Sequence, residues 1–271
     1  DHRDLHYPLR RQRQMCIRDR VRGILIATTI FVIWEISCLF FQLPVFMLPP
    51  PSKIFVSIYV NWDELIIHAS YTLIEILASI AIGSLIGITT ALIISSSVTL
   101  KRWIMPILLA SQSIPVFALA PLLILWLGYG MISKIVIGVL IVFFPITSNF
   151  TDALNKVPQE LIDAGKTLNL SKIQLFYKIK IPSSLPGLCS GLRVAACFAP
   201  IGAVVGEWIG GSTGLGSFMI YSNARLQTDN MFAALLILIF MTIAIYKITD
   251  YVLSKYCLLY TSPSPRDRQK S

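Results

Sequence analysis

Asn155–Pro186, NKVPQELIDAGKTLNLSKIQLFYKIKIPSSLP, is the longest break in a chain that otherwise alternates long apolar runs with short polar ones. It carries five lysines: Lys156, Lys166, Lys172, Lys178 and Lys180. Its local chemistry predicts two short helices joined by a tight turn. Pro158 suits the first turn of a helix, where a missing N–H costs little. Asn169 stands where that helix should end, and Asn is among the few non-glycine residues that accept a left-handed cap. Ser171 opens the second helix, and Gln174 three residues on completes a capping box. Pro182 is expected to stop that helix.

Composition sets the class of the surrounding chain. Of 271 residues, 55% are hydrophobic and 14% charged, and the mean hydropathy of +0.71 exceeds what a soluble core needs. The chain reads as an all-α integral membrane protein. The formal charge of +9 does not point to nucleic acid, because the basic residues lie in short loops and tails between apolar runs, as orientation in a bilayer requires. The five cysteines show no CxxC pair and no metal-ligand spacing, and His68 stands alone.

Six spans are predicted. Gly23–Phe41 is interrupted only by Glu35. Leu48–Pro51 breaks the chain, and Ser52 is expected to cap a short amphipathic helix that carries Ile54, Phe55, Ile58 and Tyr59, with Trp62 at the interface. Tyr71–Ser95 follows, and its Gly83 and Gly87 form a small-xxx-small face. The uncharged run Trp103–Ser133 is divided by Pro106, Pro115 and Pro121, which predicts one kinked span ending near Trp126 and a Gly128/Gly130 turn. Ile135–Phe150 is cut short by Pro145, and Pro186–Ile209 contains Arg193 and Pro200. Gly206–Asn230 reads as a Gly-rich polar connection before the last span, Met231–Lys255. One face of this arrangement holds Arg22, Lys101, Arg102, the five loop lysines and Lys255, against Lys53, Lys134 and Arg225 on the other. That bias puts both ends and the Asn155–Pro186 loop in the cytoplasm. Residues 1–20 and 257–271 differ abruptly in composition and resemble translated sequencing-adapter read-through, so residues 21–256 are taken as the transmembrane domain, with the loop at 152–185.

The loop resembles the permease subunits of bacterial ABC importers of the type I, MetI-like fold. That family marks a cytoplasmic loop with Glu-Ala-Ala, three residues, Gly, nine residues and Ile-x-Leu-Pro. Here the spacing is kept as Asp163-Ala164-Gly165, Asn169 and Ile179-Lys180-Ile181-Pro182. Asn for Gly retains the left-handed turn, while Gly165 inside a helix is less favourable than Ala by about 1 kcal/mol. The resemblance covers roughly residues 21–255. Residues 111–130 and 206–229 look like the branch that handles nitrate, sulfonates, taurine and related solutes, and the second segment looks most like permeases for thiamine precursors such as hydroxymethylpyrimidine.

The resemblance implies a six-helix permease with a coupling loop between helices 4 and 5, working as a dimer with a second copy in the lipid bilayer. Two cytoplasmic ATPases and an external solute-binding protein would complete the machine. No cofactor would sit on this subunit, since ATP and magnesium belong to the ATPase. The loop would dock on the ATPase, with Asp163, Ala164, Gly165, Asn169, Ser171, Ile179 and Pro182 forming its signature and Leu168, Leu170, Ile173 and Phe176 its apolar anchors. Gly165-Lys166-Thr167 imitates the end of a phosphate-binding loop, but Glu160 stands where the first glycine is needed and no strand precedes it.

Other candidates keep two readings each. Glu35, Glu75 and Arg193 are functional groups inside the bilayer or partners in interfacial and inter-helix pairs. Ser111, Gln112 and Ser113, beside Pro115, line a solute pathway or bond between helices. Glu207 with Gly210, Gly211, Gly214 and Gly216 forms an external gate or an ordinary turn-rich loop. An ion-gradient-driven transporter, the rival class, expects paired inverted repeats and mid-membrane charges.

Overall fold

In the absence of water a chain must satisfy its own backbone, and helices do so within one segment. The computed structural model describes residue 22, residues 25–26 and residues 28–257, and these form helices joined by short links. The helices are α1 (Thr28–Phe40), α2 (Pro51–Val60), α3 (Trp62–Ser96), α4 (Val98–Gln112), α5 (Val116–Leu127), α6 (Met131–Asn155), α7 (Gln159–Thr167), α8 (Lys172–Leu175), α9 (Ile181–Gly210), α10 (Leu215–Ala224) and α11 (Thr228–Cys257), with a π-helical turn at Phe176–Lys180 between α8 and α9. The tails at 1–20 and 258–271 lie outside the described residues.

Among the described residues, four unbroken helices are long and apolar enough to cross a bilayer: α3, α6, the continuous Lys172–Gly210 segment and α11. The expected kinked third span is instead the pair α4 and α5, bent by 95°. The described part of the first expected span, α1, is shorter than the roughly 20 residues a bilayer asks for. Gly128 takes φ +84 in the expected turn after α5.

Packing separates the described residues into two groups, those up to Trp62 with Ser222–Ala233, and Asp63–Tyr221 with those from Ala234 onward. In the first, aromatic rings cluster: Phe31 lies 6.1 Å from Trp34 and 6.3 Å from Phe55, and Trp34 lies 5.6 Å from Phe232. Pro50, not Ser52, precedes α2 as its cap residue. Ser52 lies inside the helix, and its N–H and hydroxyl donate to Glu35 at 3.0 and 2.7 Å. The carboxylate thus does the capping, because an anion suits the positive end of a helix. Ser57 Oγ donates to Asn230 Oδ1 at 2.6 Å.

The second group is built on α3, α6 and α9. Its core holds Ile76, Val142, Ile146, Ala195, Ala196, Ala199 and Ala203. The expected Gly83/Gly87 face meets α6, where a Cβ on Gly87 would sit 3.1 Å from Ile146. The closest approach is between α6 and α9. A Cβ on Gly202 would lie 2.7 Å from Gly138 Cα, and one on Gly191 would lie 2.9 Å from the Pro145 carbonyl. Small residues let backbones approach where lipid supplies no hydrophobic drive.

Proline stops fewer helices here than the sequence suggests. α6 runs through Pro145 and α9 through Pro186 and Pro200. Neighbouring helices pack around these breaks and keep the chain helical, which a single-chain propensity does not register. Pro182 does not end the second loop helix either: it occupies the first turn of α9, where it lacks nothing.

Overfilling the α6–α9 seam tests this packing. Gly202→Val is expected to destabilise the protein in detergent by about 1–3 kcal/mol, read as a lowered thermal midpoint. Gly130→Ala, where an added methyl meets nothing within 4 Å, should leave that midpoint unchanged.

Candidate functional site

The loop that follows α6 is a compact helical hairpin. Pro158 stands one residue earlier than expected, as the cap residue before α7, with φ −53 and ψ 134. At the other end Asn169 takes φ 54. The Leu170 N–H donates to the Gly165 carbonyl at 3.1 Å and the Asn169 N–H to the Lys166 carbonyl at 2.9 Å. Those two bonds are a Schellman motif with Asn in the usual glycine place. The capping box follows: the Gln174 N–H donates to Ser171 Oγ at 3.3 Å, and the Ser171 N–H to Gln174 Oε1 at 3.0 Å.

Gly165 is buried, and a Cβ there would lie 2.5 Å from Ile179 Cδ1. Its cost as a helix residue is therefore offset by letting α7 close against the π-helical turn, with Leu175 and Leu170 alongside. The Gly165-Lys166-Thr167 run is the last turn of α7, not a phosphate cradle. Asp163 Oδ1 accepts from Lys166 Nζ at 2.8 Å and from Gln159 Nε2 at 3.1 Å. Those donors hold the exposed Asp163 carboxyl below the usual carboxylate range, so it carries its charge throughout neutral pH.

Of the expected apolar anchors, Leu168 and Ile173 are 74% and 71% exposed. Ala164 is exposed too, whereas Leu170, Phe176, Ile179 and Pro182 are half-buried within the hairpin. Tyr177, 64% exposed, joins Ile173 one helical turn away; that four-residue spacing was the signal in the sequence.

Ser111, Gln112 and Ser113 sit exposed at the bend between α4 and α5, and Ser111 Oγ donates within its own helix to Leu108 O at 2.7 Å. Arg193 is an inter-helix partner: its Nε lies 2.6 Å from Asp250 Oδ1 of α11.

The gate candidates are placed differently from expectation. Gly206–Gly210 is the last part of α9, and Glu207 is 1% exposed. Glycines inside a packed helix read as loop only when the neighbour they admit is unseen. Glu207 Oε1 accepts from Thr72 Oγ1 at 2.6 Å and its Oε2 from the Gly216 N–H at 2.5 Å. The Leu215 N–H donates to Thr72 Oγ1 at 2.8 Å. Two residues thereby satisfy the first N–H groups of α10. Gly214, at φ +109, turns the chain where a side chain would run into Glu207, and Gly214 N donates to His68 Nδ1 at 3.0 Å. Gly210 abuts Ile124 of α5, and Gly211 ends α9.

Beside this lies an ion pair between Lys134 Nζ and Glu75 Oε1 at 2.9 Å. Lys134 also donates to the Thr213 carbonyl at 2.8 Å. Lys134, counted above as a loop cation, is therefore a buried residue of α6. Its signal was that Glu75 and Lys134 both stand near the start of an expected apolar span. No group of three or more potential metal ligands occurs among the described residues.

Comparison with known proteins gives this geometry a setting. Residues 83–254 match the family described as the binding-protein-dependent transport system inner membrane component. A Haemophilus influenzae protein, an ABC transporter permease by its description, is 43% identical over 236 residues, which are 87% of this chain and 96% of that one. The formylaminopyrimidine transport permease protein of Halalkalibacterium halodurans is 38% identical over 210 residues, 77% of this chain and 84% of that one. In fold, the chain is similar to one from an inward-facing methionine ABC transporter, with a TM-score of 0.62 and 21% identity over 70% of this chain and 95% of that one.

Two substitutions test the site. Asn169→Gly should be tolerated, whereas Asn169→Ile should cost about 1–2 kcal/mol at a left-handed position, read as faster hydrogen exchange at the Leu170 amide. Lys134→Met strands a buried carboxylate and should lower stability by about 3–5 kcal/mol, and Glu75→Leu added to it should recover most of the thermal midpoint.

Proposed function

The chain belongs to the family of binding-protein-dependent transport inner-membrane components, and we propose that it serves as the membrane path of an importer whose ATPase docks on the α7–α8 hairpin. It is an ABC importer permease of the MetI-like type; its ATPase, its second copy and its external binding protein are the proposal. The observation that carries it is the hairpin itself. Leu168, Ile173 and Tyr177 hold apolar side chains out from a polar loop whose turn is capped on both sides, and they do so in the stretch that carries five lysines. Exposed anchors on a pre-organised turn suit a groove in a partner, because little freedom remains to be lost on docking.

On this reading both chain ends and the hairpin face the cytoplasm of a bacterium, and the permease works as a homodimer in the inner membrane. ATP binding closes the paired ATPases, the docked hairpins follow them, and the cavity between the permeases turns outward; this is a bistable element biased by a ligand. The subunit makes and breaks no bond in its solute. The solute is a thiamine-precursor pyrimidine. Similarity to the formylaminopyrimidine permease over most of both chains supports this. Import of nitrate, alkanesulfonate or taurine is the competing outcome.

The permease, its ATPase and its binding protein, reconstituted in proteoliposomes, should accumulate formylaminopyrimidine or hydroxymethylpyrimidine in preference to taurine or nitrate. Asp163→Arg with Ile173→Asp should reduce ATPase co-purification and solute-stimulated hydrolysis at least about tenfold, as loss of an interface anchor does. Unchanged assembly and coupling in that variant would refute docking at the hairpin, and uptake of taurine alone would refute the pyrimidine assignment.

A further inference from the structure

We propose that the cavity between the end of α3 and the α8–π segment is a binding site for an anionic phospholipid of the cytoplasmic leaflet. The proposal rests on the orientation given above. The cavity measures about 610 Å³. Leu92 and Ile93 of α3 form one apolar wall, and Phe176 and Tyr177 the other; Lys172 and Lys180 also line it. Among the described residues, no Asp or Glu lines it and neither lysine has an ion-pair partner.

Its depth in the membrane selects the occupant. The apolar run of α3 ends at Ser96, so the cavity straddles the level at which hydrocarbon gives way to headgroups. An open apolar cleft at that level meets acyl chains before anything else. Basic pockets between helices on the cytoplasmic side attract phosphate headgroups. Ser95, on the same wall, has a buried hydroxyl oxygen with no hydrogen-bond partner, a donor for a headgroup oxygen. Leu168, at the tip of the hairpin, lines none of this cavity, whereas Ile173 and Tyr177 line it and are shared with the docking face. A lipid there would brace α3 against the hairpin and make the coupling element sensitive to membrane composition.

Each lysine near an anionic surface favours binding about fivefold, so the pair predicts roughly a thirtyfold preference for phosphatidylglycerol over phosphatidylcholine. The permease–ATPase complex, released from nanodiscs holding equal amounts of both lipids, is assayed for retained lipid by native mass spectrometry. Wild type should retain phosphatidylglycerol selectively. Lys172→Gln with Lys180→Gln should bring the two lipids to parity, while Ile93→Trp, which fills the cleft and keeps both lysines, should lower retention of both. Equal retention by wild-type complex overturns the site, as does release of the lipid by millimolar inorganic phosphate, which would mark a simple anion site. Selective retention only by permease stripped of its ATPase also overturns it, since the ATPase is then the occupant. Failure of the ATPase to co-purify counts against the docking reading instead, and lipid retention by the permease alone still decides the site.

Discussion

The close contact of α6 and α9 is the constraint on which the rest depends. The pairings Gly138 with Gly202, Lys134 with Gly206 and Ala153 with Gly187 run in opposite directions along the two helices, so the helices are antiparallel and in contact from end to end. Such contact has to come from fit, because lipid is as apolar as the side chains it would replace. The same two helices supply both roots of the hairpin, at Asn155 and Ile181, and two members of the buried cluster, Lys134 and Glu207. A displacement of the hairpin cannot be absorbed by sliding α6 past α9 without opening a seam that has no spare volume.

Three of the ionisable groups within the apolar part of the chain have the same structural use. Glu35 accepts from the first turn of α2, Glu207 from the first turn of α10, and Lys134 binds the carbonyl of Thr213 just before α10. Each satisfies backbone groups that a helix end or turn leaves open and that hydrocarbon would not satisfy. A carboxylate is a stronger acceptor than a serine hydroxyl and is favoured by the helix dipole. This accounts for ionisable side chains where hydropathy alone would forbid them, without a proton relay. Arg193 and Asp250 differ: their pair joins α9 to α11, and both side chains are partly exposed.

What the sequence made legible was local. The Schellman turn at Asn169 and the Ser171/Gln174 box need only residues within one turn of each other, and both stand where residue chemistry puts them. The Gly83/Gly87 face was legible because its four-residue period selects one side of a helix. Proline and glycine misled where a neighbour decides their effect. Pro145 and Pro200 break a lone helix, but not one clasped on several sides. Gly206 and Gly210 looked like loop because the residues they admit, Lys134 and Ile124, are far away in the chain. The ion pair of Glu75 with Lys134 joins spans 59 residues apart, and no local rule pairs them.

The π-helical turn at Phe176–Lys180 shows how local and distant requirements were reconciled. From Lys172 to Gly210 the chain is helical without interruption over 39 residues, about 58 Å at 1.5 Å per residue. Yet Pro182 donates no hydrogen bond near its beginning. A π turn inserts one extra residue and shifts the bonding register, so that the Ile181 N–H still reaches the Phe176 carbonyl and the proline falls in the first turn of the α-helical part. The wider turn also brings Ile179 over Gly165, which is what holds α7 down. Asn169, Gly165 and Pro182 are thus three parts of one joint: the first reverses the chain, the second lets the two arms touch, and the third begins the long helix. That helix connects the reversed turn at one end directly to Glu207 at the other.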